Sequence, residues 1–368
     1  MKLMKLFALA LGMFAFVSCG GDTEGDAPAP KSKITLTTNN NSFVVNTPIT
    51  FTITDSDGSD LTADAIIYHK YKKNGSNYYD VVENPFTPTE DGEYTFFAHA
   101  NKVNSNNVTV NVVPTIPSLP DDTQLDNTSF YHRILLIDHT GTTCGYCPNM
   151  MAALKTVEET EGYHEKYYEA MSHTYNGGDP AGSPAANSVS AHYSFTGYPS
   201  LTYNFYHSVV SSYNAEHIMG QIDALWKADG ADAGIAATAS TGASYTVINT
   251  EVKAAVENEY HITAWLLEDG IYAKQTNATE EWMNTHNNAI RQIIESDNIT
   301  GFDLGTIAAG EKKSAALVLK IAGATWVREN FKVLVIVSAK NAKGKFEVAN
   351  VIMCPANGSV SYEYNDKE

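Results

Sequence analysis

Positive charge is scarce in this chain. Its 368 residues carry 24 Lys+Arg against 42 Asp+Glu, a formal net charge of −18. That balance disfavours nucleic acid and anionic membrane surfaces as partners. Cysteine is scarcer still, with four residues, of which only Cys144 and Cys147 stand close in sequence. No second pair completes a four-cysteine zinc site, so zinc would need ligands such as His139 and His173 recruited by the fold. No cofactor is expected. Long hydrophobic runs are missing as well: the N-terminal one, Leu6 to Val17, is too short to cross a bilayer. Aromatic residues, by contrast, are plentiful, led by 21 tyrosines, and 43% of the chain is hydrophobic. Such a composition builds folded cores, and the length allows two or three domains.

The N-terminus has Lys2 and Lys5, the apolar run, then Phe16-Val17-Ser18-Cys19-Gly20. Residues 1–18 thus read as a secretory signal. Small residues flanking the cysteine resemble a bacterial lipobox. That resemblance implies cleavage before Cys19 and lipidation of its thiol and new amino group, anchoring the protein to one leaflet. An ordinary signal followed by a stray cysteine is the plainer alternative. Residues 19–31 have no apolar periodicity and are expected to form a flexible tether. Their acidic residues could be a surface-export signal like those of Bacteroidetes lipoproteins, or a solvated spacer.

Residues 32–114 hold short β runs at the intervals of an immunoglobulin-like β-sandwich, among them Ile49–Ile53, Tyr94–Ala98 and Val108–Val112. Thr89-Glu90-Asp91-Gly92-Glu93-Tyr94 resembles a tyrosine corner. Asp55, Asp57 and Asp60 hint at a calcium loop, but the glycine offset is wrong and Ile66 replaces the bidentate Glu, so a turn is expected. Three prolines at 114, 117 and 120 make residues 115–128 a stiff linker. From residue 231 to 368, β runs return as a second sandwich, interrupted by a mainly polar insertion, Gln275 to Ile299. Cys354, after the apolar run Val348–Met353, reads as a buried single thiol, with a third redox partner as the alternative.

Between the sandwiches, residues 129–230 carry the chemistry. The buried-strand pattern Ile134-Leu135-Leu136-Ile137 ends in Asp138; Cys144-Gly145-Tyr146-Cys147 follows, and then Met150, Met151, Leu154 and Val157 recur at helical spacing. Strand, C-x-x-C and helix is the setting of a redox pair, with the first thiol at a helix N-terminus that favours a thiolate. Asp138 is placed to accept the proton of the second thiol. Further on, Gly197-Tyr198-Pro199 reads as a turn leading into a short strand, Ser200–Tyr203.

The order and spacing of Asp138, the C-x-x-C and Pro199 resemble a thioredoxin fold. The resemblance implies an α/β unit in which Cys144 is the nucleophile, Cys147 the resolving thiol, Asp138 the buried proton acceptor and Pro199 a cis-proline facing the disulfide. Thr143 stands where thioredoxin has Trp, the Gly-Tyr pair is similar to that of periplasmic disulfide isomerases, and Tyr198 before the proline is bulky enough to narrow substrate access. A permanently oxidised staple is the alternative for the same cysteines. His173 is placed near the disulfide by analogy, or else satisfied by neighbouring loop groups.

The longer sequence adds Ala264-Trp265-Leu266-Leu267-Glu268-Asp269-Gly270-Ile271, Gln275 and His286-Asn287-Asn288-Ala289-Ile290-Arg291. Together with the lipobox and the Asp138-His139-Thr140-Gly141 approach, this resembles the outer-membrane-protein-28-related lipoproteins of Bacteroidetes. The likeness runs from about Tyr131 to Cys354 and implies a lipid-anchored outer-membrane protein. His286 and Arg291 either order the insertion against the sandwich or bind an anionic ligand.

The expected architecture is multidomain, α/β plus all-β: an immunoglobulin-like sandwich, a thioredoxin-like domain and a C-terminal β-sandwich. Two functions stand side by side. One is a tethered thiol–disulfide oxidoreductase acting on protein thiols and disulfides. The other is a non-catalytic surface lipoprotein for adhesion or ligand capture. Solute binding for an uptake complex is a third, which needs a preformed apolar pocket.

Overall fold

Strands dominate because β-branched and aromatic residues recur with period two or in short unbroken apolar runs. The computed structural model describes residues 33–194, 196–205, 212–294, 299–321 and 325–365, and the backbone of 207–210. The expected signal, Cys19 and the expected tether lie outside the described residues. The chain is mainly β and is built of several sheets.

Residues 33–113 fold as β1 (Ile34–Thr38), β2 (Ser42–Val44), β3 (Phe51–Asp55), β4 (Ile66–Lys73), β5 (Ser76–Val82), β6 (Gly92–Ala100), β7 (Val103–Asn104) and β8 (Val108–Val113). The pair β1–β3 lies over the sheet β2-β8-β6-β4-β5, and Ile34, Phe51, Ile53, Phe96 and Val110 fill the space between them. The Tyr94 hydroxyl donates to the Glu90 carbonyl at 3.0 Å, closing the corner that the sequence pattern implies. Asp55 and Asp57 accept from backbone N–H groups of their own turn, the turn expected in place of a calcium loop.

The central unit contains β9 (Ile134–Thr140), α1 (Cys147–Glu159), β10 (Tyr167–His173), α2 (Pro184–Ala191), β11 (Ser200–Tyr203), β12 (His207–Val210) and α3 (Ala215–Leu225). Strand β10 runs parallel to β9 and β11 antiparallel to it. Alternation along β9 splits its side chains between two cores. Ile134 and Leu136 pack with Met150, Leu154 and Val157 of α1 and Ile218 and Ile222 of α3. Leu135 and Ile137 pack on the other face against Ala185, Ala186 and Val189 of α2.

The C-terminal region adds β13 (Ala233–Thr241), β14 (Tyr245–Ala254), β15 (Asn258–Glu268), β16 (Ile271–Tyr272), β17 (Thr285–His286), β18 (Ala289–Ile293), β19 (Phe302–Ile307), β20 (Lys312–Lys320), β21 (Phe331–Lys340), β22 (Phe346–Pro355) and β23 (Gly358–Val360). It forms a sandwich, with β20-β14-β13-β23 facing the β15, β21 and β22 strands. Here the architecture departs from two separate sheets. Strand β18 pairs with β10 on one side and β15 on the other, so a single nine-stranded sheet runs from β12 to β22. The core follows it: Leu135 and Ile137 share one apolar cluster with Trp265, Leu267, Leu334 and Ile336.

Two further segments differ from their sequence reading. The polar insertion supplies that joining strand, because the charge of Arg291 inside it is neutralised by buried Glu268, with Nε to Oε2 at 2.6 Å. The proline-rich stretch, expected to be a stiff linker, is held by ion pairs and hydrogen bonds. Asp122 accepts from the buried Lys253 ammonium at 3.1 Å and from Lys312 at 2.8 Å, and the Gln124 and Leu125 carbonyls also take Lys253, so the segment is bound to the C-terminal sandwich.

Candidate functional site

The apolar run of β9 extends past Asp138 to Thr140, and every residue of the strand is buried. A tight loop, Gly141–Tyr146, then leads to α1, whose first residue is Cys147 and whose first turn holds Pro148. Proline suits that turn, where its missing N–H costs no helical bond. A Cβ at Gly141 would lie 2.6 Å from Tyr175 Cβ, so glycine is required at this close approach. No side chain caps α1, and no acidic residue sits in its first turn. Its N-terminal dipole is therefore left facing the cysteines.

Cys144 and Cys147 form a disulfide with a Cα–Cα distance of 5.4 Å. Cys144 is 1% exposed and Cys147 0%, whereas Tyr146 between them is 67% exposed. The Tyr198–Pro199 bond is cis. Ser200 pairs with His139 and Leu201 with Asp138, which puts Pro199 level with the end of β9, where the cysteine loop begins. The bulky Tyr198 is turned aside: its hydroxyl meets Thr174 Oγ1 at 3.0 Å and its ring meets the edge of Tyr175 at 5.3 Å.

Asp138 lies on the α1 side of β9, in line with Ile134 and Leu136. It is 0% exposed, and among the described residues neither carboxyl oxygen has a hydrogen-bond partner. Burial, and after it the charge of Glu169, holds this carboxyl well above the usual carboxylate range. Such a group stays protonated where an ordinary Asp would be ionised.

The other expected side chains have different surroundings. His139 points to the α2 side, bonded to Ser190 at 2.8 Å and Thr202 at 3.0 Å, and burial lowers its pKa to about 4. It therefore does not join the sulfurs, and among the described residues no group of three His, Cys, Asp or Glu is placed to hold a metal. His173 meets Asp179 at 3.2 Å and stands edge-on to His286 at 4.9 Å. Asp179 also accepts the Thr142 N–H at 2.7 Å and the Ala181 N–H at 2.9 Å. Burial alone would raise Asp179, but His173 and these N–H groups hold it well below the usual range. His173 thus reaches the cysteine loop through Asp179. Arg291 is committed internally to Glu268 and to the Pro180 and Gly182 carbonyls, both at 3.0 Å, so it orders the 176–184 loop. Cys354 is buried, and burial pushes its thiol up to about 11.

The residues that sequence reasoning gave no role come from the C-terminal region. Gln275 Nε2 donates to the Cys144 carbonyl at 3.0 Å and the Gly141 carbonyl at 3.3 Å, although it lies 131 residues from Cys144. The Thr276 N–H donates to the Thr142 carbonyl at 2.8 Å, and Asn277 Nδ2 to that of Gly145 at 3.2 Å. This strap holds the loop's carbonyls from outside the central unit. Glu169 was missed too, because a lone glutamate in a strand carries no pattern.

No family model matches the chain, and no curated protein matches it. Among solved structures it is similar to HBP35 of Porphyromonas gingivalis, with a TM-score of 0.52 and 16% identity, over 66% of this chain and 80% of that one. At that identity the likeness bears on the fold alone. A protein of Corynebacterium diphtheriae overlaps 92% of this chain and 61% of its own, with a TM-score of 0.19 and 8% identity, too low to carry an argument.

Proposed function

We propose that the chain is an exported, lipid-anchored protein of the outer-membrane-protein-28-related kind, whose central unit is thioredoxin-like and exchanges disulfides with protein thiols. The observation that carries this reading is the bare carboxyl of Asp138 on the α1 face of β9, near the end from which the cysteine loop leaves. A buried carboxyl without a partner costs stability and gives a structural staple nothing. A resolving thiol, in contrast, needs such an acceptor when it attacks a mixed disulfide. In this reading Cys144 is the nucleophile at the uncapped end of α1, Cys147 resolves, and Pro199 borders the cysteine loop. The likeness to a Porphyromonas structure supports the fold in this reading and nothing beyond the fold. Cys19 would carry the lipid and hold the protein at the outer membrane.

The burial of Cys144 and the strap from Gln275 to Asn277 favour a second reading, in which the disulfide is permanent and the molecule serves adhesion or ligand capture. Insulin reduction by the pre-reduced protein separates the two. Exchange predicts turnover that disappears in Cys144→Ala; wild-type protein without turnover leaves only the second reading.

A further inference from the structure

Asp138 is sealed, yet an acceptor that takes a proton in every cycle must also lose it. Strand register shows the neighbours on its face. Met171 of β10 is level with Asp138, and Glu169 is level with Leu136, so Glu169 is diagonal to Asp138 on the α1 side. At the usual strand spacing and rise, their Cα atoms are about 8 Å apart, a gap that two carboxyl side chains and one water can span.

Glu169 is partly buried. Its Oε1 is shielded and has no hydrogen-bond partner, while Oε2 accepts from Asn288 Nδ2 at 3.3 Å. It also lines a cavity of about 620 Å³ between α1, β10 and the 282–288 segment. Among the described residues Asp138 has no such outlet on its β11 side. There Tyr203 is 1% exposed, its hydroxyl is buried without a partner, and burial with the charge of Asp138 keeps the phenol protonated.

We propose that Glu169 is a proton relay that connects Asp138 with solvent in this cavity. The inference rests on the exchange reading above. Asp138, protonated at rest, first passes its proton to the Glu169 carboxylate, which releases it into the cavity. In the resolving step Cys147 then gives its proton to the Asp138 carboxylate, and its sulfur attacks Cys144 of the mixed disulfide. The Cys144–Cys147 bond forms, the Cys144–substrate bond breaks, and the substrate sulfur leaves as a thiolate. The cysteine pair is oxidised and the substrate disulfide reduced. That step leaves Asp138 protonated again, so each resolving step waits on the relay through Glu169.

The charged and titratable groups around Glu169 suit this task. Lys155 and Lys332 are engaged by Glu159 at 2.6 Å and Asp269 at 2.7 Å, so neither forms an ion pair with Glu169. Glu158 of α1 and His164 line the same cavity, and Tyr167 is beside it. Burial first, then Glu158, raises Glu169 to about 7, with Asn288 and Lys332 opposing. That value suits a group that must both take and release a proton near neutrality.

The test uses the reduced full-length chain and an aromatic disulfide that releases a coloured thiolate, followed by stopped flow. One thiolate leaves when Cys144 attacks and a second when Cys147 resolves. Glu169→Gln should slow the second phase relative to the first by about tenfold or more at neutral pH. It should also remove the step near pH 7 from that phase's pH profile. In Glu169→Ala, added acetate should restore part of the rate through the cavity. A second phase with wild-type rate and pH profile in Glu169→Gln overturns the relay while leaving exchange intact. A wild-type protein that releases no thiolate overturns both.

Discussion

Replacing Asp138 by Asn should make the protein more stable, and by an amount that depends on pH. The carboxyl is 0% exposed and unpartnered, whereas in the unfolded chain water solvates it. A buried polar group left unsatisfied costs about 1–3 kcal/mol, and more when charged. The sign follows from the raised folded pKa. Below the unfolded value, about 3.9, the group is protonated in both states and the charge penalty is absent. As pH rises from there, the unfolded chain ionises first and wild-type stability falls, until the folded group ionises as well and the penalty levels off. Asparagine never ionises. The variant should therefore match wild type near pH 4 and exceed it by about 2 kcal/mol or more at pH 8. Native-state hydrogen exchange of the β9 amides in the oxidised protein reads the difference, since opening free energies are local and do not require two-state unfolding of a multidomain chain. A variant equally stable at pH 8, or an advantage that does not change with pH, would refute the argument.

Two other perturbations test the frame around the disulfide. Gln275→Ala removes two hydrogen bonds from the cysteine loop, each worth about 1 kcal/mol net, so dithiothreitol should reduce the disulfide about 5- to 30-fold faster; an unchanged rate would mean the strap does not control access. Asp122→Ala leaves the ammonium of Lys253, whose side chain is 0% exposed, without its carboxylate. A loss of about 3–5 kcal/mol is expected in thermal unfolding, and a loss below about 1 kcal/mol would show that the Gln124 and Leu125 carbonyls suffice.

Local patterns in the sequence carried much of this arrangement. The unbroken apolar run before Asp138 is a fully buried strand, and Met150, Met151, Leu154 and Val157 do form the buried face of α1. Tyr94 closes its corner for the same local reason. What could not be read depends on distant partners. Arg291 makes Ala289–Ile293 look like a polar loop until Glu268, on the neighbouring strand, neutralises it. Lys253 looks like an ordinary strand lysine until Asp122 arrives from the proline-rich segment. Gln275 touches the cysteine loop only because β18 joins the central strands to the C-terminal sandwich. Period-two and period-3.6 patterns report which face of an element is apolar, not which element will cover it.

The most direct measurement uses Cys147→Ala, which opens the disulfide and leaves Cys144 free. Alkylation at neutral pH, resolved residue by residue by mass spectrometry, compares Cys144 with Cys354, whose burial raises its thiol to about 11. A redox nucleophile at the end of α1 predicts that Cys144 is modified far faster than Cys354 and is retained as a stable mixed disulfide when offered an oxidised peptide. Modification of Cys144 as slow as that of Cys354, with no adduct, would contradict the account.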